Sequence, residues 1–373
     1  MRDWVLNYLY CPQCGSKLVC DVYERADDGH IMTGVLTSDT DDCSAWYPII
    51  RGVPRLLEES LRVEATRQFV EQYSQMLEVK GLSSSGNIRG QSSLQDLKLH
   101  TIQNFGFEWT EYSRHGWDDP VYNIQSEEAI FGNKSLLQPQ DLEGNLVLDA
   151  GCGNGRYTYW SAKYGGQVIG VDLGDGVDAA FANTRHLPNV TIVQGDIFKL
   201  PFLEQTFNVI FSIGVLMHTG DAHKATKSLA DKLKVGGSIT VHVYGKGNPV
   251  YEFVDTTLRK RTTKMSIEQL QTFTHRAYNL RRIIDKVRLA KLLQLVVRLE
   301  SHPHCIFDWY AAPIASHHTH EEVRSWFDAL ALKIITTNES GPPKISTGLK
   351  AILRDIHRAL RPGMITVRGI RQS

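Results

Sequence analysis

The chain has no surplus of either charge: 41 Lys and Arg stand against 41 Asp and Glu in 373 residues. Global electrostatics therefore selects no partner. It has no apolar run approaching the length of a bilayer crossing, and its opening, Met1-Arg-Asp-Trp-Val-Leu-Asn-Tyr8, lacks a long apolar region behind a basic start. No membrane span and a cytoplasmic location are the expectation. Cysteine is sparse, with six scattered residues. That excludes the disulfide framework of a small secreted protein and leaves metal-binding or unpaired thiols. At this length the chain can bury a sizeable core and hold two domains, or one domain with large additions.

What is present is concentrated in residues 146–156, Leu-Val-Leu-Asp-Ala-Gly-Cys-Gly-Asn-Gly-Arg. An apolar strand runs into Asp149 and three alternating glycines, Gly151, Gly153 and Gly155. A pyrophosphate-binding turn needs G-x-G-x-x-G, and Arg156 stands where its last glycine would be. The spacing points away from a dinucleotide. Downstream, the apolar stretch 167–172 ends in Asp172, 21 residues after Gly151, and 190–197 contains Asp196 and Ile197. Residues 207–212 read as a fourth strand ending in Ser212, followed by Ile213-Gly-Val-Leu-Met-His218, and 238–243 as a fifth.

These pieces, in order over about residues 105–245, resemble the class I S-adenosylmethionine-dependent methyltransferases, whose first loop reads hydrophobic-hydrophobic-Asp-x-G-x-G-x-G. The resemblance implies an α/β fold: a Rossmann-like seven-stranded sheet, closed by strands near 332–337 and 365–370 with a helix near 347–360 between them. It implies S-adenosyl-L-methionine as cofactor. Asp149 would meet its amino group, the loop Gly151, Cys152, Gly153, Asn154 and Gly155 would cradle it, and Asp172 with Leu173 would take the ribose. Asp196 and Ile197 would lie at the adenine, with Ser212 and Ile213 alongside. The aromatic segment Phe105-Gly-Phe107-Glu-Trp109-Thr-Glu-Tyr112 either folds over the cofactor, with Trp109 among the contacts, or packs a helix onto the sheet. His218 is the first candidate for a general base and Tyr244 the second, needed only if the acceptor must lose a proton.

The start of the chain reads as a unit of its own. Tyr10-Cys11-Pro-Gln-Cys14 is a C-x-x-C knuckle, and the segment from Cys43 through Trp46, Tyr47 and Pro48 to Pro54 looks like the closing segment of a small zinc ribbon. Over residues 1–58 this resembles the zinc-ribbon-like proteins that activate tRNA and protein methyltransferases. The second knuckle carries Cys43 alone, with Thr40 in the place of its partner. Cys11, Cys14 and Cys43 therefore offer three thiolates to zinc, a fourth ligand coming from Cys20, Asp39, Asp41, Asp42 or His30; a metal-free module held by apolar packing is the other reading. Residues 59–135 are expected to be a helical linker and aromatic cap, broken by the Gly- and Ser-rich stretch 81–90, and 136–373 the methyltransferase domain.

A helical lid is expected over 246–316. Within it Leu280, Ile283, Ile284, Val287, Leu292, Leu295 and Val296 recur at helical spacing, a face to be buried. Eleven Lys or Arg lie in residues 259–298 against Glu268 and Asp285. Such a run is either a solvated face or an acceptor surface for an anionic group or RNA. Asp308, Trp309 and Tyr310 resemble a family segment returning to the acceptor pocket and are the candidate substrate contacts. Thr319 and Glu322 form a capping-box pattern, and the one-residue gaps among His317, His318 and His320 do not suit a metal. The expected reaction is methyl transfer to a small molecule: a natural product, sugar or glycan precursor, anionic acceptors included. RNA or protein methylation, using ribbon and basic lid, is the alternative, but the Asn-Pro-Pro-Tyr signature for planar amino groups is absent after Ser212. A third reading, a scaffold without catalysis, is at odds with the intact Asp149, Asp172 and Asp196. A homo-oligomer is compatible with all of these.

Overall fold

Alternating apolar side chains and a tight turn pair the first strands of the chain as a meander. In the computed structural model, which describes residues 1–61, 64–82, 93–117, 126–287, 289–339 and 363–372, β1 (Leu18–Arg25), β2 (Ile31–Ser38), β3 (Trp46–Ile50) and β4 (Val53–Leu56) are successively antiparallel. The seven later strands are β5 (Leu146–Ala150), β6 (Gln167–Asp172), β7 (Val190–Gly195), β8 (Phe207–Ile213), β9 (Leu233–Tyr244), β10 (Leu332–Thr337) and β11 (Met364–Arg371). Their order is β7-β6-β5-β8-β9-β11-β10, parallel from β7 to β9 and antiparallel at β11 and β10. β5 and β7 are buried at every position, as parallel strands covered on both faces must be. This is the expected Rossmann-like sheet, with the cofactor-type loops at the carboxyl ends of β5, β6 and β7.

The ribbon is not a separate body. β4 pairs in parallel with β7, Arg55 opposite Gln194 and Leu56 opposite Gly195, so that eleven strands form one sheet. Val5, Leu9, Leu36 and Leu56 share a core with Val193, Leu200 and Phe202. At the seam Arg55 is buried; its Nη1 donates to Gln194 Oε1 (3.2 Å) and its Nη2 pairs with Asp178, which Arg51 also reaches. Composition and spacing mark two units, whereas two residue pairs of parallel ladder join them.

After β9 the chain builds the lid from helices Pro249–Thr262, Ile267–Lys286, Ala290–Leu293 and Pro303–Ala311. Asn248 caps the first and Ser266 with Gln269 forms a capping box on the second. The buried face of Ile267–Lys286 is set by Leu270, Thr274 and Ala277, and this phase leaves Leu280, Ile283 and Val287 exposed. Periodicity found the stripe, but the face set by Leu270, Thr274 and Ala277 is the one buried. The basic run is also divided: Arg259 binds buried Asp255 (2.8 Å), Arg281 binds Asp285 (3.0 Å), and Arg298 binds Glu300 (2.8 Å) while stacking on Trp309. Thr319 Oγ1 accepts from Glu322 N–H (3.1 Å) and opens the helix His320–Ala329. The 347–360 helix, and the 81–90 break beyond Leu82, fall outside the described residues. No described helix is long and apolar enough to cross a membrane.

Candidate active site

The loop after β5 turns back on itself because three glycines hold positive φ. Gly151, at φ 93°, donates to Val171 O (2.7 Å), and a Cβ there would stand 2.2 Å from Val215 Cγ2. At Gly153, φ 52°, a Cβ would meet the Trp109 ring at 2.9 Å. No other residue type lets the backbone pass between these walls. The carboxylate of Asp172, at the end of β6, ties two loops together: Oδ2 accepts from Gly153 N–H and Oδ1 from Gly174 N–H, both at 2.9 Å. Burial pushes its acidity down, raising the pKa, while the backbone N–H groups oppose that.

Across this floor lies the helix Ser93–Glu111. Lys98, Thr101, Phe105 and Trp109, at steps of three and four, form its cavity face. The remaining wall comes from Leu173, Asp196, Ile197, Ile213, Val215 and His218, with Asp308 from the lid. Lys98 pairs with Asp196, whose other oxygen accepts from Phe198 N–H (2.9 Å). Lys98 and Thr101 went unread in the sequence, whereas Phe105 belongs to the aromatic segment read there; the helical spacing back from Trp109 was the available signal.

His218 lies on the wall with its Nδ1 2.7 Å from the Ile314 carbonyl. A carbonyl only accepts, so Nδ1 carries the proton and Nε2 presents a lone pair; that Nε2 is buried with no hydrogen-bond partner among the described residues. Burial lowers the imidazole pKa to about 4 against the opposing Ile314 contact, so the ring is neutral at ordinary pH. Phe105 and Tyr244 flank it at 5.4 Å. Tyr244 itself is buried behind, stacked on Trp309 at 4.1 Å, and burial raises its pKa well above the usual phenol value.

Several expected contacts lie elsewhere. Trp309 donates to Asp255 Oδ1 (2.6 Å) and Tyr310 to Arg298 O (3.1 Å), which places both in the packed interior of the lid; of that trio Asp308 alone reaches the cavity. Asp149 stands behind the wall, accepting from Thr158 Oγ1 (2.6 Å), its carboxyl pushed by burial up to about 7. Ser212 donates to Ala150 O (2.7 Å), Asn154 donates to His115 O (2.8 Å), and Cys152 joins the apolar core. Gly155 starts the following helix against Ala180. These residues shape the loop from behind.

Residues 148–241 match the protein family described as "Methyltransferase domain". They are a methyltransferase domain. Strand order and glycine loop give the domain the fold of the class I methyltransferases. Among curated relatives, the tRNA U34 carboxymethyltransferase of Campylobacter hominis is 33% identical over 120 residues, 31% of this chain and 42% of that protein. The biotin biosynthesis bifunctional protein BioHC of Cellvibrio japonicus is 32% identical over 153 residues, 41% of this chain and 29% of that protein. The chain thus spans less than half the length of these curated relatives. A chain of the solved complex between the Haloferax volcanii Trm112 methyltransferase activator and a methyltransferase aligns with 72% of this chain and 98% of its own, at 17% identity and a TM-score of 0.44. The residues present fit S-adenosylmethionine: Asp172 offers anchored carboxylate oxygens, and Gly151 and Gly153 leave backbone where a Cβ would intrude.

Beyond the methyltransferase domain, the ribbon brings the sulfur atoms of Cys11, Cys14 and Cys43 within 4.8 Å of one another. The Cys14 thiol is brought down to about 6, chiefly by the Ser16 backbone, so it reaches the thiolate form readily. Three converging thiols fit zinc. Among the described residues no further Cys, His or carboxylate joins them; Ser16, Ser38 and Thr40 hydroxyls border the cluster instead. Of the suggested fourth ligands, His30 binds Asp28 (2.9 Å) and packs on Phe181, facing the methyltransferase domain. Protein prepared without chelator is expected to carry about one zinc per chain by elemental analysis, and Cys43→Ser to lose it; zinc-free wild-type protein would refute the site.

Proposed function

We propose that the chain transfers a methyl group from S-adenosylmethionine to a small-molecule acceptor of natural-product, sugar or glycan-precursor type. The observation that carries this reading is the buried Nε2 of His218, without a hydrogen-bond partner among the described residues, on a cavity lined by the Ser93–Glu111 helix and by Asp308 of the lid. Asp172 would hold the ribose, Asp196 with Lys98 the adenine end, and Trp109 and Ile213 the flanks. Bound there, S-adenosylmethionine supplies a methyl group on a sulfonium, already activated for in-line transfer. The chain's own task is to orient the acceptor and exclude water. His218 accepts the acceptor's proton at Nε2 while the Ile314 carbonyl keeps Nδ1 protonated. Asp308 supplies an acidic contact at the lid side of the cavity.

His218→Gln is expected to slow single-turnover methyl transfer about a hundredfold with cofactor affinity unchanged. Because the imidazole stays neutral down to about 4, the acid limb of kcat/KM in the wild-type chain should fall near that pH rather than near 6.5. Unchanged turnover in the variant removes His218 from the chemistry.

A second reading is RNA methylation, favoured by the name of the Campylobacter relative and by exposed Lys260, Arg261 and Lys264 on the lid. Radiolabel from methyl-labelled cofactor, chased into cell extract and fractionated, separates the two. Label in the small-molecule or glycan pool supports the proposal; label in RNA or protein replaces it.

A further inference from the structure

Exposed large apolar side chains are unevenly distributed. Of thirteen among the described residues, seven fall within residues 250–296 of the lid. Leu280 and Ile283 on the second lid helix and Val287 at its C-cap, at 50%, 61% and 58% exposure, follow one another at helical spacing. Val250 and Phe253, the latter 72% exposed, sit in the first turns of Pro249–Thr262. Leu289 and Val296 follow in the connecting segment. Two contacts draw these stretches to the same end of the lid: Asn248 Nδ2 donates to Leu295 O (2.7 Å) and Arg281 Nη1 to Leu299 O (2.5 Å).

Cations accompany the apolar stripe. Arg276 is exposed on the same helical face as Leu280 and Ile283, and Lys286 and Arg282 are exposed along its flank. The nearest acid, Asp285, is held by Arg281 at 3.0 Å, so the face keeps its positive charge. We propose that this end of the lid docks on an anionic lipid surface, its aliphatic side chains entering the acyl boundary and its cations meeting lipid phosphates. Aliphatic side chains beside Lys and Arg are the composition of an interfacial helix. RNA takes the charges but has no use for Leu, Ile and Val, which cannot stack on bases. A second copy of the chain would set like charges against one another across a symmetric contact.

The test is flotation of the full chain with vesicles of phosphatidylcholine alone and of phosphatidylcholine containing phosphatidylglycerol. Binding is expected only with the anionic lipid, weakened by salt. Paired Ile283→Ser and Phe253→Ser should weaken it about tenfold or more, as should Arg276→Glu with Lys286→Glu. These side chains are exposed, and unchanged calorimetric binding of S-adenosylmethionine shows that each variant is folded. Equal binding to neutral vesicles, or Ser variants that bind as well as wild type, overturns the proposal. So does transfer RNA binding that the Glu variant loses while no vesicle is bound, or a dimer that Ile283→Ser dissolves. Cofactor binding is read separately, so failure here leaves the methyl-transfer reading standing.

Discussion

Asp172→Ala should weaken S-adenosylmethionine binding by about a hundredfold or more. Its two oxygens each hold a loop amide of the cavity wall, Gly153 and Gly174. Removing them strands two N–H groups and deletes the acceptor for a ribose. Two charge-assisted hydrogen bonds are together worth about 3 kcal/mol, which converts to about a hundredfold in affinity. Asp172→Asn keeps one accepting oxygen and should fall between. Calorimetry reads the affinity and thermal unfolding the fold; a dissociation constant that survives Asp172→Ala would place the cofactor elsewhere.

Arg55→Ala is the second large effect, expected to cost about 3 kcal/mol of stability. Its guanidinium is 2% exposed and bridges the ribbon to Asp178 and Gln194. Truncation leaves the Gln194 oxygen buried without its donor, although Arg51 still reaches Asp178 and limits the loss. The consequence extends to the cavity. Gln194 Nε2 donates to Leu173 O (3.1 Å) and Asp175 Oδ1 (3.2 Å), and Leu173 is cavity wall. The variant should therefore also bind cofactor a few-fold more weakly. A urea midpoint indistinguishable from wild type would show that the seam bears no such weight.

The parallel strands and the glycine loop were legible because both are local: a buried strand is an unbroken apolar run, and a positive-φ turn names its own residue; the arrangement of the strands in one sheet came from the resemblance. Asp172 was legible for the same reason, as the last residue of such a run. What was not legible depends on partners distant in sequence. Trp309 has an indole N–H that could have faced a substrate; it faces Asp255, 54 residues away, and only the packed lid decides that. Lys98 carries no motif of its own, and only the helix sets it against Asp196. Leu280 and Ile283 obey helical periodicity, but periodicity gives the existence of a stripe and not the element that covers it. The ribbon's attachment was hidden because Arg55–Leu56 against Gln194–Gly195 is too short a ladder to leave a pattern.

An open sheet recruits a neighbouring chain wherever a flat, apolar strand shows its main-chain groups. The inner strand β7, Val190-Thr-Ile-Val-Gln-Gly195, is such a sequence, β-branched and uncharged. With β4 laid along its end, the sheet terminates instead in β1, carrying Asp21, Glu24 and Arg25, and in β10, carrying Lys333. The ribbon thereby covers the carboxyl end of that edge: a fragment lacking residues 1–58 would leave Gln194 and Gly195 unpaired there, and strand-mediated self-association is the failure to expect of it.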